Sequence, residues 1–202
     1  GSVSLDECIR PSLTAERLAA MPPAFLTLGA AGSDAVQLSQ YPELTKIAHV
    51  HTAGNSPAMC DAAAVLLVGS KMLASNEGLI PKVRIVDSVT CCGEPLEVVS
   101  GCVAATKAIL SRNKLRPSDV DVFEIHEAFA ATIVKLQREL EIDSARLNIN
   151  GGCIALGHPM GATGAIMAGT AIDELVRCDG SIGIIAASGA AGSGSALLVE
   201  RC

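Results

Sequence analysis

The C-terminal 112 residues alternate between two hydrophobic rhythms. Val120 to Ile125 places apolar residues on both sides of Asp121 and Glu124, which predicts a strand. From Glu127 to Leu140 the apolar positions Phe129, Ile133, Leu136 and Leu140 recur at helical spacing on one face. Val103 to Asn113 and Ala165 to Arg177 read as further helices, the latter with Ala165, Gly169, Ile172 and Val176 on one side. Leu147 to Ile149 is short and extended. Ile182 to Ala187 and Ala196 to Glu200 read as strands joined by the glycine-rich loop Gly189 to Gly194, close enough to pair antiparallel. Helix alternating with strand predicts an α/β layered fold around a mixed sheet.

The first 90 residues are less regular. Leu13 to Met21 is expected to be a short helix stopped by Pro22-Pro23, and Ala30 to Asp34 a loop. The continuous apolar run Ala62 to Val68 predicts a strand buried on both faces. Ser70 is placed to cap a short helix ending near Gly78, and Lys82 to Thr90 reads as another strand.

Half the residues are hydrophobic but only 2% are aromatic, so the core must come from Ala, Val, Leu and Ile. Formal net charge is −6 with no basic run, which disfavours nucleic-acid binding. No run is long and apolar enough for a bilayer, and no signal peptide is visible, so a cytoplasmic setting is expected. Gly1-Ser2 reads as a remnant of cloning. The eight cysteines form no C-x-x-C pair, so neither zinc nor a disulfide framework is expected, and most read as small buried thiols in a reducing compartment. His49 and His51 can share one strand face and hold a metal, or be ordinary loop histidines. Without nearby acidic or thiol partners the second reading is preferred.

The densest stretch runs from Asn148 to Gly164, with Gly151, Gly152, Gly157, Gly161 and Gly164 around a single Gly157-His158-Pro159. Proline after His158 pushes that histidine towards an extended or turn conformation. It is then presented on a stiff loop just before a helix start, where free N–H groups and the helix field favour negative charge. Taken alone, a Gly-His-Pro is better read as a glycine-rich connection with a packed loop histidine. The whole string, however, resembles the C-terminal signature of the thiolases, which make or cleave 3-ketoacyl-CoA. The resemblance covers nearly the whole chain. It implies a thiolase-like layered fold with a five-stranded mixed sheet covered by helices, the C-terminal half of the full fold. Residues 1–54 match the tail of the thiolase loop domain, through Asp6-Glu7-Cys8-Ile9-Arg10-Pro11 and Pro23-Ala24-Phe25. Residues 55–90 match the last part of the N-terminal domain, and residues 91–202 the C-terminal domain.

Site residues follow from the resemblance, position by position. His158 is the Gly-His-Pro active-site histidine. His126, in His-Glu-Ala-Phe, helps build the hole that stabilises an enolate oxygen. Glu127 is structural. Ser188 stands where the family has a cysteine that moves protons, and a hydroxyl is a poor substitute for a thiol in that role. Ala128 and Phe129 line the pantetheine path, Pro57 and Met59 fall near the thiol end of the cofactor, and Ala190 sits in the glycine loop that offers a backbone donor. Coenzyme A enters as substrate, with no covalently bound cofactor and no metal. The nucleophilic cysteine belongs to the N-terminal half, which this chain lacks. The chain alone is therefore expected to be inactive, its partners being acyl-CoA or CoA, that missing half and, in the intact protein, a second copy of itself. A non-catalytic protein that binds acyl-CoA or a partner chain is the alternative.

Overall fold

The computed structural model describes residues 4–202; Gly1-Ser2 lie outside them. The helices are α1 (Ala15–Ala19), α2 (Leu26–Leu28), α3 (Asp34–Gln40), α4 (Lys71–Asn76), α5 (Gly101–Arg112), α6 (Ala130–Leu140), α7 (Cys153–Leu156) and α8 (Thr163–Arg177). The strands are β1 (Val83–Cys92), β2 (Val122–Ile125), β3 (Ile182–Ser188) and β4 (Ser193–Arg201).

The four strands form one sheet in the order β1-β4-β3-β2. β2 runs parallel to β3, whereas β3 with β4 and β4 with β1 are antiparallel, so the sheet is mixed. Four strands stand where five were expected. The extended segment at Leu147 makes only a single parallel bridge to Phe123, so it flanks β2 without becoming a strand. The chain turns away at Asn148, where φ is +46°, and the ladder stops.

Alternating side chains of the sheet feed two cores, the expected consequence of a period of two. Phe123, Ile125, Ile184, Ala186, Ala196 and Leu198 face α5 and α6, where they meet Val103, Ile109 and Leu136. Val122, Ile185 and Val199 face α8 and meet Met167, Ala171 and Leu175. Two covered faces make a helix–sheet–helix sandwich. α5 lies unusually close to the sheet. A Cβ at Gly101 would fall 2.0 Å from the carbonyl oxygen of Ser193, and one at Gly194 would fall 2.0 Å from that of Gly101. Only hydrogen at both positions allows that backbone approach.

Two local expectations fail. Ala62 to Val68 forms no strand and is largely exposed, with Val65 at 93%. A strand needs a ladder partner for its N–H and C=O groups, and no strand among the described residues runs beside this segment. Ala30 to Asp34 is no open loop. The chain stays coiled from Leu26 through a wide turn at Gly29–Ser33 into α3, broken only by Gly32 at φ +125°. On α8 the buried face is Thr163, Met167, Ala168, Ala171, Glu174 and Leu175, and Val176 is 51% exposed. The small apolar residues around this helix left its orientation open, and the bulk of Met167 and Leu175 decides it. The helix expected from Glu127 opens only at Ala130, with Phe129 as its extended N-cap. The Ser70 hydroxyl caps α4 as expected, accepting from the amide of Leu73 at 3.1 Å.

Candidate active site

His126 is the first residue beyond β2. Its amide donates to the Ala186 carbonyl at 2.8 Å, continuing the β2–β3 ladder by one step, so the imidazole is fixed at the C-terminal end of the sheet. The side-chain amide of Asn148 braces the same corner. It accepts from the amide of Ile125 at 2.8 Å and donates to the Ile125 carbonyl at 3.0 Å and to Glu127 at 2.9 Å. Glu127 in turn accepts from the amide of Ile154 at 2.9 Å. Its carboxylate thus sits at the start of α7, where the helix field favours it, and not at the start of its own helix. These bonds tie the end of β2 to the Gly151-Gly152 loop.

His158 arrives from the opposite side. Gly157, at φ +91°, makes the turn that residues with a Cβ resist, and a Cβ there would lie 2.5 Å from the Cys60 sulfur. The His158 amide donates to the Ala58 carbonyl at 2.7 Å, and Nδ1 lies 2.8 Å from Thr163 Oγ1 at the start of α8. The two imidazoles meet with centroids 4.5 Å apart and planes tilted by 39°.

Both rings are neutral near pH 7. Burial and the neighbouring His158 push His126 down to about 4, against a smaller opposing pull from the Ser188 backbone. Burial also lowers His158. Neither ring nitrogen of His126 has a hydrogen-bond partner among the described residues, although the side chain is 5% exposed. A buried polar group in that condition is costly unless it serves a ligand.

Cys153 and Glu124 stand beside the pair. One ligand atom each from His126, Cys153 and His158 lie within 4.8 Å of one another. The thiol is pushed up to about 11 by burial, with Glu127 and Glu124 adding to the shift. Glu124 lines a cavity of about 30 Å³ together with Cys153, Thr163 and Met167. Its carboxyl is raised to about 8, by burial first and then by Glu127 and Glu174.

Ser188 is close by but turned aside. Its backbone adjoins His126, while its hydroxyl accepts from the amide of Cys102 at 2.9 Å, at the start of α5. The segment carrying Pro57 and Met59 bridges the mouth. The Asn55 carbonyl accepts from the amide of Ala130 at 3.1 Å, the Ala58 carbonyl holds His158, and Met59 is 80% exposed. Ala128 is buried, and Phe129 stacks edge-on against His51 at 4.7 Å and Phe25 at 5.8 Å. Ala190 is exposed at the β3–β4 turn. His49 and His51 do not act together, since His49 binds Asp34 at 2.9 Å and His51 joins the aromatic group. All eight cysteines are free, but only Cys102 and Cys153 are buried, fewer than expected. Sequence reasoning passed over Cys153, the Asn148 amide and Thr163. Only the Asn148–Gly164 string marked their neighbourhood.

A family model described as "Thiolase, C-terminal domain" matches residues 79–201. The chain belongs to the thiolase family. It is 37% identical over 198 residues to the 3-oxoadipyl-CoA/3-oxo-5,6-dehydrosuberyl-CoA thiolase of Escherichia coli K12, covering 97% of this chain and 44% of that protein. The 3-ketoacyl-CoA thiolase of Klebsiella pneumoniae is 35% identical over 204 residues, covering 99% and 48%. Among solved thiolase structures, the Bacillus anthracis acetyl-CoA acetyltransferase superposes with a TM-score of 0.80 at 33% identity, over 98% of this chain and 45% of that one. Human mitochondrial 3-ketoacyl-CoA thiolase gives 0.78 at 27% identity, over 99% and 46%. The chain therefore spans about half the length of the thiolases it matches, as expected for a C-terminal portion. Among the described residues no helix is long and apolar enough to cross a membrane.

Proposed function

We propose that this chain is the charge-stabilising half of an acyltransferase that condenses acetyl-CoA with an acyl thioester or, in reverse, thiolyses a 3-ketoacyl-CoA. The observation that carries this reading is the meeting of His126 and His158, two neutral imidazoles 4.5 Å apart on separate elements. A neutral imidazole keeps one N–H that can donate to a thioester oxygen, and donors aimed at a developing oxyanion supply roughly 3–4 kcal/mol each. Ala128, Phe129, Pro57 and Met59 frame the approach for the pantetheine arm, with Ala190 on the glycine loop offering a further backbone donor. Ser188 positions the start of α5 and leaves proton transfer to other groups. CoA and acyl-CoA are the small partners, and the half that carries the nucleophilic cysteine is the macromolecular one. Self-association of the intact protein and a reducing cytoplasmic setting complete the proposal, the latter supported by eight unpaired thiols.

The test compares two proteins. The purified 202 residues show no thiolysis of a 3-ketoacyl-CoA. The protein extended through the native reading frame upstream of Val3 shows it, and His158→Ala lowers its kcat by roughly 10²–10³-fold, the range for loss of an oxyanion donor. Turnover by the 202 residues alone refutes the division of labour. Ser188 favours a second reading, a thiolase-like acyl-CoA-binding protein without turnover. An extended protein that is inactive with Ser188 and binds acyl-CoA supports it, and full activity with Ser188 removes it.

A further inference from the structure

We infer that Cys8 and Cys60 form an oxidation site, where a low-molecular-weight disulfide of the glutathione class joins the two thiols into a bridge beside the Gly157-His158 turn. A Cβ on Gly157 would fall 2.8 Å from the Cys8 sulfur and 2.5 Å from the Cys60 sulfur, so both sulfurs crowd one point although they are far apart in sequence. They are at most about 5 Å apart, and a bridge needs ~2.05 Å, an approach that side-chain rotation supplies. Two further contacts set the segments side by side. The Arg10 guanidinium donates to the Ala53 carbonyl at 3.1 Å, and the Cys8 amide donates to the Asp6 carboxylate at 2.8 Å, fixing the turn that presents the thiol. Both cysteines are half-buried, within reach of a small oxidant. The neighbouring alternatives are placed less well: Cys91 and Cys92 follow each other on β1 and point to opposite faces, while Cys102 and Cys153 are buried.

The chemistry is a double exchange. The thiolate of one cysteine attacks a sulfur of glutathione disulfide, and one glutathione leaves with the electron pair of the broken S–S bond. The second cysteine loses its proton to solvent, attacks the mixed disulfide and expels the other glutathione. Two protein thiols are oxidised and one disulfide is reduced to two thiols. Partial burial first, then the hydrogen bond and charge of Cys60, hold the Cys8 thiol above its ordinary value, so the pair rests reduced until an oxidant is supplied. The bridge has a direct line to His158. Cys60 lies two residues beyond Ala58, whose carbonyl accepts the His158 amide at 2.7 Å, and Met59 between them pairs with His158. Oxidation therefore fastens the segment that holds the Gly-His-Pro turn and, on the acyl-transfer reading proposed above, stiffens the mouth of that site.

Glutathione disulfide is the probe, applied without air to the reduced 202-residue chain. Two of the eight thiols are consumed, and after alkylation the non-reduced tryptic digest contains peptides 1–17 and 47–71 joined. Cys8→Ser abolishes the joined species and leaves Cys60 as a mixed disulfide with glutathione, whereas Cys178→Ser changes nothing. In concentrated urea roughly tenfold less of the joined species forms, because the fold no longer holds the sulfurs together. Amide exchange at His158 slows in the bridged chain and recovers with dithiothreitol. The bond itself is what is read, so the result stands apart from any turnover assay. Mixed disulfides alone at Cys8 and Cys60 in the folded chain overturn the site, as does equal cross-linking in urea. Unchanged exchange at His158 in the bridged chain overturns the link to the Gly-His-Pro turn.

Discussion

Replacing Glu124 with glutamine should stabilise the chain, and increasingly so as pH rises. Glu124 lies on β2, faces the α8 layer and is 3% exposed, with Oε1 lacking any hydrogen-bond partner. Burial, Glu127 and Glu174 lift its carboxyl from 4.5 to about 8. Between those values the folded protein holds a proton that the unfolded chain has released. The folded state binds more protons there, so stability falls as pH increases through the window. Each pH unit is worth about 1.4 kcal/mol, giving an upper limit of roughly 4 kcal/mol at pH 7.5, and water reaching the second oxygen reduces this to about 2–4 kcal/mol. Glutamine keeps the shape and cannot ionise. Urea unfolding of both proteins at pH 5, 6.5 and 8 measures the difference while cancelling the titration of every other group. The two proteins should be within about 1 kcal/mol of each other at pH 5, with glutamine ahead by about 2–4 kcal/mol at pH 8. A difference that does not vary with pH, or a glutamine variant that is weaker at pH 8, would refute the burial argument.

Other outcomes follow from the same geometry. His126, held at about 4, stays neutral in the fold while the unfolded chain takes up a proton below about 6.5. Stability should therefore drop by up to about 3 kcal/mol as pH falls from 6.5 to 4; His126→Gln should flatten that acid limb in an otherwise identical titration. Gly101→Ala forces a methyl against the Ser193 carbonyl and should lower stability by about 1–3 kcal/mol, read as a shifted urea midpoint. A neutral result there would mean that α5 does not rest on the β3–β4 turn. Asn148→Ala strips the brace from Ile125 and Glu127 and should cost about 2–4 kcal/mol, with faster amide exchange at Ile125 and Ile154.

The alternation of α5, β2, α6, α8, β3 and β4 was legible because each of these segments closes its hydrogen bonds inside this chain and shows its period in sequence. Ala62 to Val68 was misread for the opposite reason: its apolarity signals burial, but no strand among the described residues supplies the burying surface. The bridge at Leu147 was too short to separate from a strand, since one paired residue and five look alike in a three-residue apolar run. His126 and His158 were found through the strand end and the Gly-His-Pro turn. Cys153 carried no comparable signal, because a thiol at a helix start resembles any small residue until the fold brings two distant imidazoles beside it. The Ser188 hydroxyl was placed at the right strand end, but its orientation towards Cys102 depends on how closely α5 approaches, which no local pattern encodes.

β1 occupies one border of the sheet, and no strand among the described residues pairs with its outer side. Bare borders of this kind recruit any extended peptide that matches their spacing. Here the register slips between Ile85 and Asp87, so Val86 bulges and the border is split into two short runs. A bulge adds twist and spoils the flat template that runaway stacking requires. Trimming the strand by Val86 alone would therefore straighten its rim and join the two short runs into one even border.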